Sequence, residues 1–167
     1  MLRLLDRLND LLAFVAAWLF FATAAMITWE VVARYVFTAP TIWAEELSRV
    51  FLVWGTFLAM AALLRRRSHI RITIVTNLMR PGGRRAAEVF SLLVIAATAG
   101  VAAWYGWTIA LDSFLRDRTT ATMLNLPQVW VEISVPLGFL LLGLQALVET
   151  WRLLRGDPLP HDAAEQH

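Results

Sequence analysis

The chain has 167 residues, 59% of them hydrophobic and 17% charged, and a mean hydropathy of +0.60. A soluble domain usually holds about 45–50% apolar and about 25% charged residues, so the surplus apolar surface calls for lipid rather than water. The pI is 9.9, but the net charge is only +2 and the arginines fall in short clusters between apolar runs, which excludes a nucleic-acid footprint. Cysteine is absent, which excludes a disulfide framework, a thiolate metal site and a thiol nucleophile.

A helix needs about 20 mostly apolar residues to cross the hydrocarbon core. The sequence predicts four such spans, at residues 9–36, 42–64, 86–115 and 128–154, making an all-α integral membrane domain over residues 1–155. At the amino end, Arg3 and Arg7 precede Leu11–Phe21 and then Ala22-Thr23-Ala24, a pattern that imitates a cleaved signal peptide. The apolar stretch runs on past that point and is long enough to span, so it is read as the first helix. Glu30 and Arg34 are four residues apart, on one helix face, and are expected to pair. Such a pair eases the exit of the helix into the headgroup layer or offers a contact surface to a partner.

The second span opens on Pro40-Thr41-Ile42-Trp43-Ala44-Glu45-Glu46-Leu47-Ser48-Arg49. Thr41 suits the helix cap, and Glu45 and Glu46 place negative charge at the positive end of the helix dipole. Glu45 and Arg49 are again four apart. Arg49 lies about 12 Å along the axis from Thr41, ahead of the apolar run from Val50 to Leu64, where a guanidinium prefers a protein neighbour to lipid. The connection after this span reads Arg65-Arg66-Arg67-Ser68-His69-Ile70-Arg71-Ile72. Its default role is a topology lock on anionic lipid, each arginine contributing about 1 kcal/mol. The stretch 70–79 is apolar enough to form a short interfacial segment between helices 2 and 3. His69 is a poor metal ligand, because His161 and His167 both sit in the tail.

Asp112 and Arg116 form a further i,i+4 pair at the end of the third span, and Glu132 sits early in the fourth, near Trp130. Pro136 and Gly138 are expected to kink or thin the fourth helix. Ala24, Ala25, Gly100, Gly106 and Gly143 are small enough to permit close helix contact. Residues 156–167, with Pro158 and Pro160, read as a disordered tail.

Arginine bias sets the expected orientation. Arg3, Arg7, Arg65, Arg66, Arg67, Arg71, Arg80, Arg84, Arg85, Arg152 and Arg155 fall on one side, against Arg34, Arg116 and Arg118 on the other. Both termini and the middle connection are therefore expected in the cytoplasm, with Trp29, Trp43 and Trp130 near the outer interface, in a bacterial inner membrane.

No Ser/His/Asp arrangement, metal-ligand spacing or phosphate-cradling glycine loop occurs, so no enzyme activity, cofactor or metal is expected. A haem-anchoring subunit places histidine in its spans, whereas all three histidines lie outside them. A free-standing transporter generally builds a midplane site from repeated or broken helices. The residues point to an auxiliary subunit, with a redox-complex membrane anchor and a self-sufficient small exporter as the alternatives.

The run Arg34-Tyr35-Val36-Phe37, then Pro40 and Trp43-Ala44-Glu45-Glu46-Leu47-Ser48-Arg49, resembles the DctQ family. These are the small membrane subunits of tripartite ATP-independent periplasmic (TRAP) transporters. The likeness continues through Leu52-Val53-Trp54, Phe57-Leu58 and the arginine-rich turn into His69-Ile70-Arg71-Ile72. Members often carry an acidic residue after the His-Ile segment, where this chain has Thr73. The resemblance implies a large multi-span permease as partner and a periplasmic binding protein that delivers an organic acid, with uptake driven by the sodium gradient. It also implies that Trp43, Glu45, Glu46 and Arg49 meet the large subunit, and that Arg34, Arg116 and Arg118 lie on the outer docking face. Arg65, Arg66, Arg67, His69 and Arg71 remain the lipid-facing topology set.

Overall fold

Apolar runs of this length have one way to satisfy their backbone in lipid, which is to close every hydrogen bond within a helix. The computed structural model of the chain describes residues 2–65, 81–120 and 124–155. It holds helices α1 (Leu2–Tyr35), α2 (Ile42–Arg65), α3 (Pro81–Leu115), α4 (Val129–Glu132) and α5 (Ser134–Arg155). Four segments are long and apolar enough to cross a membrane: Arg7–Tyr35, Ile42–Leu64, Arg85–Leu115 and Val129–Arg155. The fold is thus the expected all-α membrane type. The expected interfacial segment at 70–79 and the tail 156–167 lie outside the described residues.

Helices α1 and α3 both start earlier than expected, α1 at Leu2 rather than residue 9. Helix α3 starts at Pro81 rather than near residue 86, because proline at the first helical position gives up an N–H that has no partner there anyway. The fourth span is interrupted for one residue, Ile133, which keeps helical angles (φ −67°, ψ −21°). The interruption comes where Pro136 acts: its ring presses on the carbonyl four residues earlier, at Glu132, and offers that carbonyl no N–H.

The helices lie in a row. Helix α1 packs on α2, α2 on α5 and α5 on α3, while α4 touches α2, α3 and α5. No comparable contact joins α1 to α3 among the described residues. Burial follows the order: 11% of the apolar stretch is buried in α1 and in α3, against 28% in α2 and 33% in the fourth span. The outer pair are edges of an open array.

Close approach is set by small residues. A Cβ on Gly138 would lie 2.5 Å from the Cβ of Phe57, and one on Gly106 would lie 3.1 Å from Cδ of Pro136. These two glycines seat α5 against α2 and α3 against α5. The rings of Phe57 and Phe139 meet at 5.7 Å. Toward the end holding both termini, Leu64, Leu92, Ala99, Leu142, Ala146 and Leu153 form the buried core. Gly143 stands 3.5 Å from Ala99 by the same measure, whereas Gly100 faces open space. Ala24 and Ala25 are exposed as well, so of the five small residues only Gly106 and Gly143 mark contacts within the chain.

A polar link joins α1 to α5 at the same end. Asn9 of α1 donates to Gln145 of α5 at 2.7 Å, Gln145 donates to Glu149 at 2.9 Å, and Arg152 donates to Glu149 at 3.0 Å. Asn9, Gln145 and Glu149 are all buried. The link ties an edge helix to one it otherwise barely meets.

Candidate functional site

The charged residues that cannot be assigned to ordinary packing gather at the opposite end, beside the connections 36–41 and 116–128. Glu30 is the first. It sits in the last turns of α1, turned inward at 6% exposure. Arg34 donates to its Oε1 through Nε at 3.2 Å and Nη2 at 2.8 Å, as the i,i+4 spacing predicts. The other oxygen, Oε2, accepts the backbone N–H of Thr41 at 2.8 Å and the Thr41 hydroxyl. Thr41, expected to cap α2, therefore turns its hydroxyl to α1.

The 36–41 connection makes this possible. Thr38 adopts φ 50°, a left-handed conformation uncommon for a β-branched residue, and Ala39 N–H donates to the Ala33 carbonyl at 3.0 Å. The chain folds back over the end of α1 and delivers Thr41 to Glu30.

The four residues expected at a subunit interface separate. Glu45 and Arg49 pair on the surface of α2, and Arg34 approaches Glu45 at 4.0 Å. Together with Ile27, Glu30, Val31, Tyr35 and Ser48 they line a groove of about 390 Å³ between α1 and α2. Glu46 points elsewhere: it is 8% exposed, and its Oε1 accepts the N–H of Leu124 at 3.3 Å. It fastens the second connection to α2 from inside the chain. Trp43 is 45% exposed and lies about 200° around the helix from Glu45, at about 100° per residue, on the opposite side of α2. Exposed side chains two apart on a helix do not share a face, so adjacency in the motif does not make one patch.

The described residues of the second connection are held by backbone hydrogen bonds. Asp117 adopts φ 47°, Arg118 N–H donates to the Ser113 carbonyl and Asp117 N–H to that of Phe114, the pattern of a Schellman cap closing α3. Thr119 and Pro127 form an antiparallel bridge, flanked by Thr120 N–H to Leu126 O at 2.8 Å and Gln128 N–H to Arg118 O at 2.9 Å. Asp112 holds two of the three arginines of the expected docking set, Arg116 at 2.6 Å and Arg118 at 2.8 Å. Among the described residues no contact joins these two to Arg34, which stays with Glu30 and Glu45. Beside the connection, Gln128 donates to Glu132 at 2.8 Å, and the Trp54 indole donates to the Trp130 carbonyl at 2.8 Å. Of the lipid-facing set, Arg66, Arg67, His69 and Arg71 lie outside the described residues, and Arg65 closes α2.

Sequence reasoning missed the reach of Glu30 to Thr41, the Trp54 bond and the Asn9–Gln145–Glu149 link. The last had a visible signal: Gln145 and Glu149 are polar residues one turn apart in an apolar span.

Four apolar spans in an open row, with charge confined to the ends, define a membrane subunit built to be part of something larger. The family model for the DctQ component of tripartite ATP-independent periplasmic transporters matches residues 23–156, and the chain belongs to that family. It is similar to the sialic acid TRAP transporter small permease protein SiaQ of Vibrio cholerae, at 24% identity over 149 residues, covering 89% of this chain and 84% of that one. It is also similar to the ectoine TRAP transporter small permease protein TeaB of Halomonas elongata, at 26% identity over 118 residues, 71% of this chain and 61% of the relative. A third likeness is to the sialic acid TRAP transporter permease protein SiaT of Haemophilus influenzae. It is 30% identical over 88 residues, 53% of this chain but only 14% of that permease. The chain is thus a small permease subunit of a TRAP transporter, a multi-pass membrane protein of a family of transport components rather than enzymes. Membership decides among the three classes the sequence left open, against the redox anchor and the lone exporter.

Proposed function

We propose that this chain scaffolds a large multi-span permease that carries out sodium-gradient-driven uptake of an organic acid delivered by a periplasmic binding protein. The open row carries this reading: two edge helices with 11% of their apolar stretch buried leave most of their surface to lipid or to another membrane protein. The SiaT likeness supports the same pairing, since a much longer permease polypeptide contains a segment similar to this chain. The two relatives named for sialic acid support an acidic substrate. The substrate and sodium sites then lie in the permease. The arginine bias supports an orientation with both termini cytoplasmic and the connections 36–41 and 116–128 in the periplasm.

The face of α2 that carries Trp43, Leu47 and Leu58 is uncharged, and cores of protein interfaces are depleted in charge and rich in aromatic residues. That face is the one assigned to the permease, with Trp43 as anchor. Glu46 contributes from behind by fixing the second connection, and Glu45 and Arg49 face away from it. Arg116 and Arg118, presented by the capped end of α3, form the docking edge for the binding protein, with Arg34 set apart from them.

Uptake of candidate acids into vesicles holding the small subunit, the permease and the binding protein tests the reading. Transport that needs all three and an inward sodium gradient is expected. Transport by the permease and binding protein at full rate without this chain, or without sodium, overturns it.

A further inference from the structure

The groove between α1 and α2 has the plan of an amphiphile. Away from the rim its lining is Ile27 and Val31, half-exposed, with the buried Glu30 carboxylate between them, whose oxygens are already taken up by Arg34 and Thr41. Its rim, at the end of the spans, is Arg34, Tyr35, Glu45, Ser48 and Arg49. The side chains of Arg34, Glu45 and Arg49 are 50%, 52% and 65% exposed, so the ion pairs do not use up the charge there. Arg34 gives two donors, on Nε and Nη2, to Glu30, and Arg49 gives Nη2 to Glu45. A guanidinium has five N–H donors, so both arginines, which line the groove, keep donors beyond those they give to Glu30 and Glu45. The Glu45 carboxylate stands between them, within 4.0 Å of Arg34 and bonded to Arg49.

Two guanidiniums flanking a half-exposed carboxylate, beside Ile27 and Val31 in the headgroup layer, complement a phosphate beside an ammonium. Guanidinium forks match phosphate oxygens in a bidentate way, and Glu45 has lone pairs left for an N–H donor. We propose that this groove binds one aminophospholipid: phosphate on Arg34 and Arg49, primary ammonium on Glu45, and an acyl chain along Val31 and Ile27. The site is independent of which face meets the permease, since it needs only α1, α2 and the bilayer.

The test uses the full chain, purified, delipidated and returned to nanodiscs of phosphatidylethanolamine, phosphatidylcholine or phosphatidylglycerol, then re-extracted and weighed by native mass spectrometry. One tightly retained phosphatidylethanolamine per chain is expected, with less phosphatidylglycerol and least phosphatidylcholine. Arg49→Gln should reduce retention about fivefold, from one arginine–phosphate contact. Glu45→Gln should erase the preference for ethanolamine over glycerol while leaving phosphate-dependent retention. Arg116→Gln, at the other connection, should change neither, and circular dichroism of each variant controls for folding. Equal retention of the three lipids, or retention unaffected by folded Arg49→Gln and Glu45→Gln, overturns the site. So does a photo-cross-linker at position 49 that captures the permease and no lipid. Each of these outcomes leaves the scaffold reading standing, because permease co-purification is read separately.

Discussion

Glu30 joins two helices through a single carboxylate, one oxygen on Arg34 and the other on Thr41. The intrahelical half of that arrangement follows from i,i+4 spacing, as do the pairs Glu45–Arg49 and Asp112–Arg116. The other half depends on the left-handed turn at Thr38, which no spacing rule announces. Glu30→Ala is expected to lower the thermal midpoint more than Arg34→Gln does, because it releases Thr41 as well as the guanidinium. A thermal scan in detergent that ranks the two in the opposite order would place the stabilisation on the ion pair alone. Glu46 makes a similar long-range bond to Leu124. Glu46→Ala should cost about 1 kcal/mol, as for a typical hydrogen bond, and should speed protease cleavage within 116–128 while cleavage elsewhere stays the same. The reach of Glu46 across 78 residues was not legible in its sequence neighbourhood, where it reads as one more acid at a helix start.

Between elements, contact is decided where a side chain is missing. In lipid there is no hydrophobic drive between apolar helices, so association rests on close packing and interhelical hydrogen bonds. Gly138, whose added Cβ would meet the Cβ of Phe57 at 2.5 Å, gives the sharpest case. Neither atom can swing aside, so Gly138→Ala must push α5 from α2 and should cost about 1–3 kcal/mol, the range for overpacking. Gly106→Ala, at 3.1 Å from Pro136, should cost less. Gly100→Ala, facing open space, should leave unfolding by denaturing detergent unchanged or slightly stabilised, by helix propensity. The polar link across the terminal end offers a second check: Asn9→Leu should cost about 0.6–1 kcal/mol, the measured scale for hydrogen bonds between membrane helices, and should loosen α1 from α5 in distance measurements between spin labels.

For the molecule as a whole, the number and length of spans were legible because hydropathy reports the solvent, and lipid demands long apolar helices. The order of the helices was not legible. In an all-apolar span neither face is marked by polarity, and the row α1, α2, α5, α3 is written in glycines and a few polar contacts separated by long stretches of chain. The same gap hid the division of the Trp43–Arg49 motif between two faces and the inside of the chain. A row with bare edges is a protein made to lie against another. The most direct test is purification of a tagged chain from its native membrane, with mass spectrometry of what accompanies it. A large multi-span permease in fixed ratio is expected, released when Trp43 is truncated to alanine, since a buried tryptophan anchor is worth about 2 kcal/mol or more. The absence of a stoichiometric permease, or a redox enzyme in its place, would contradict this assembly.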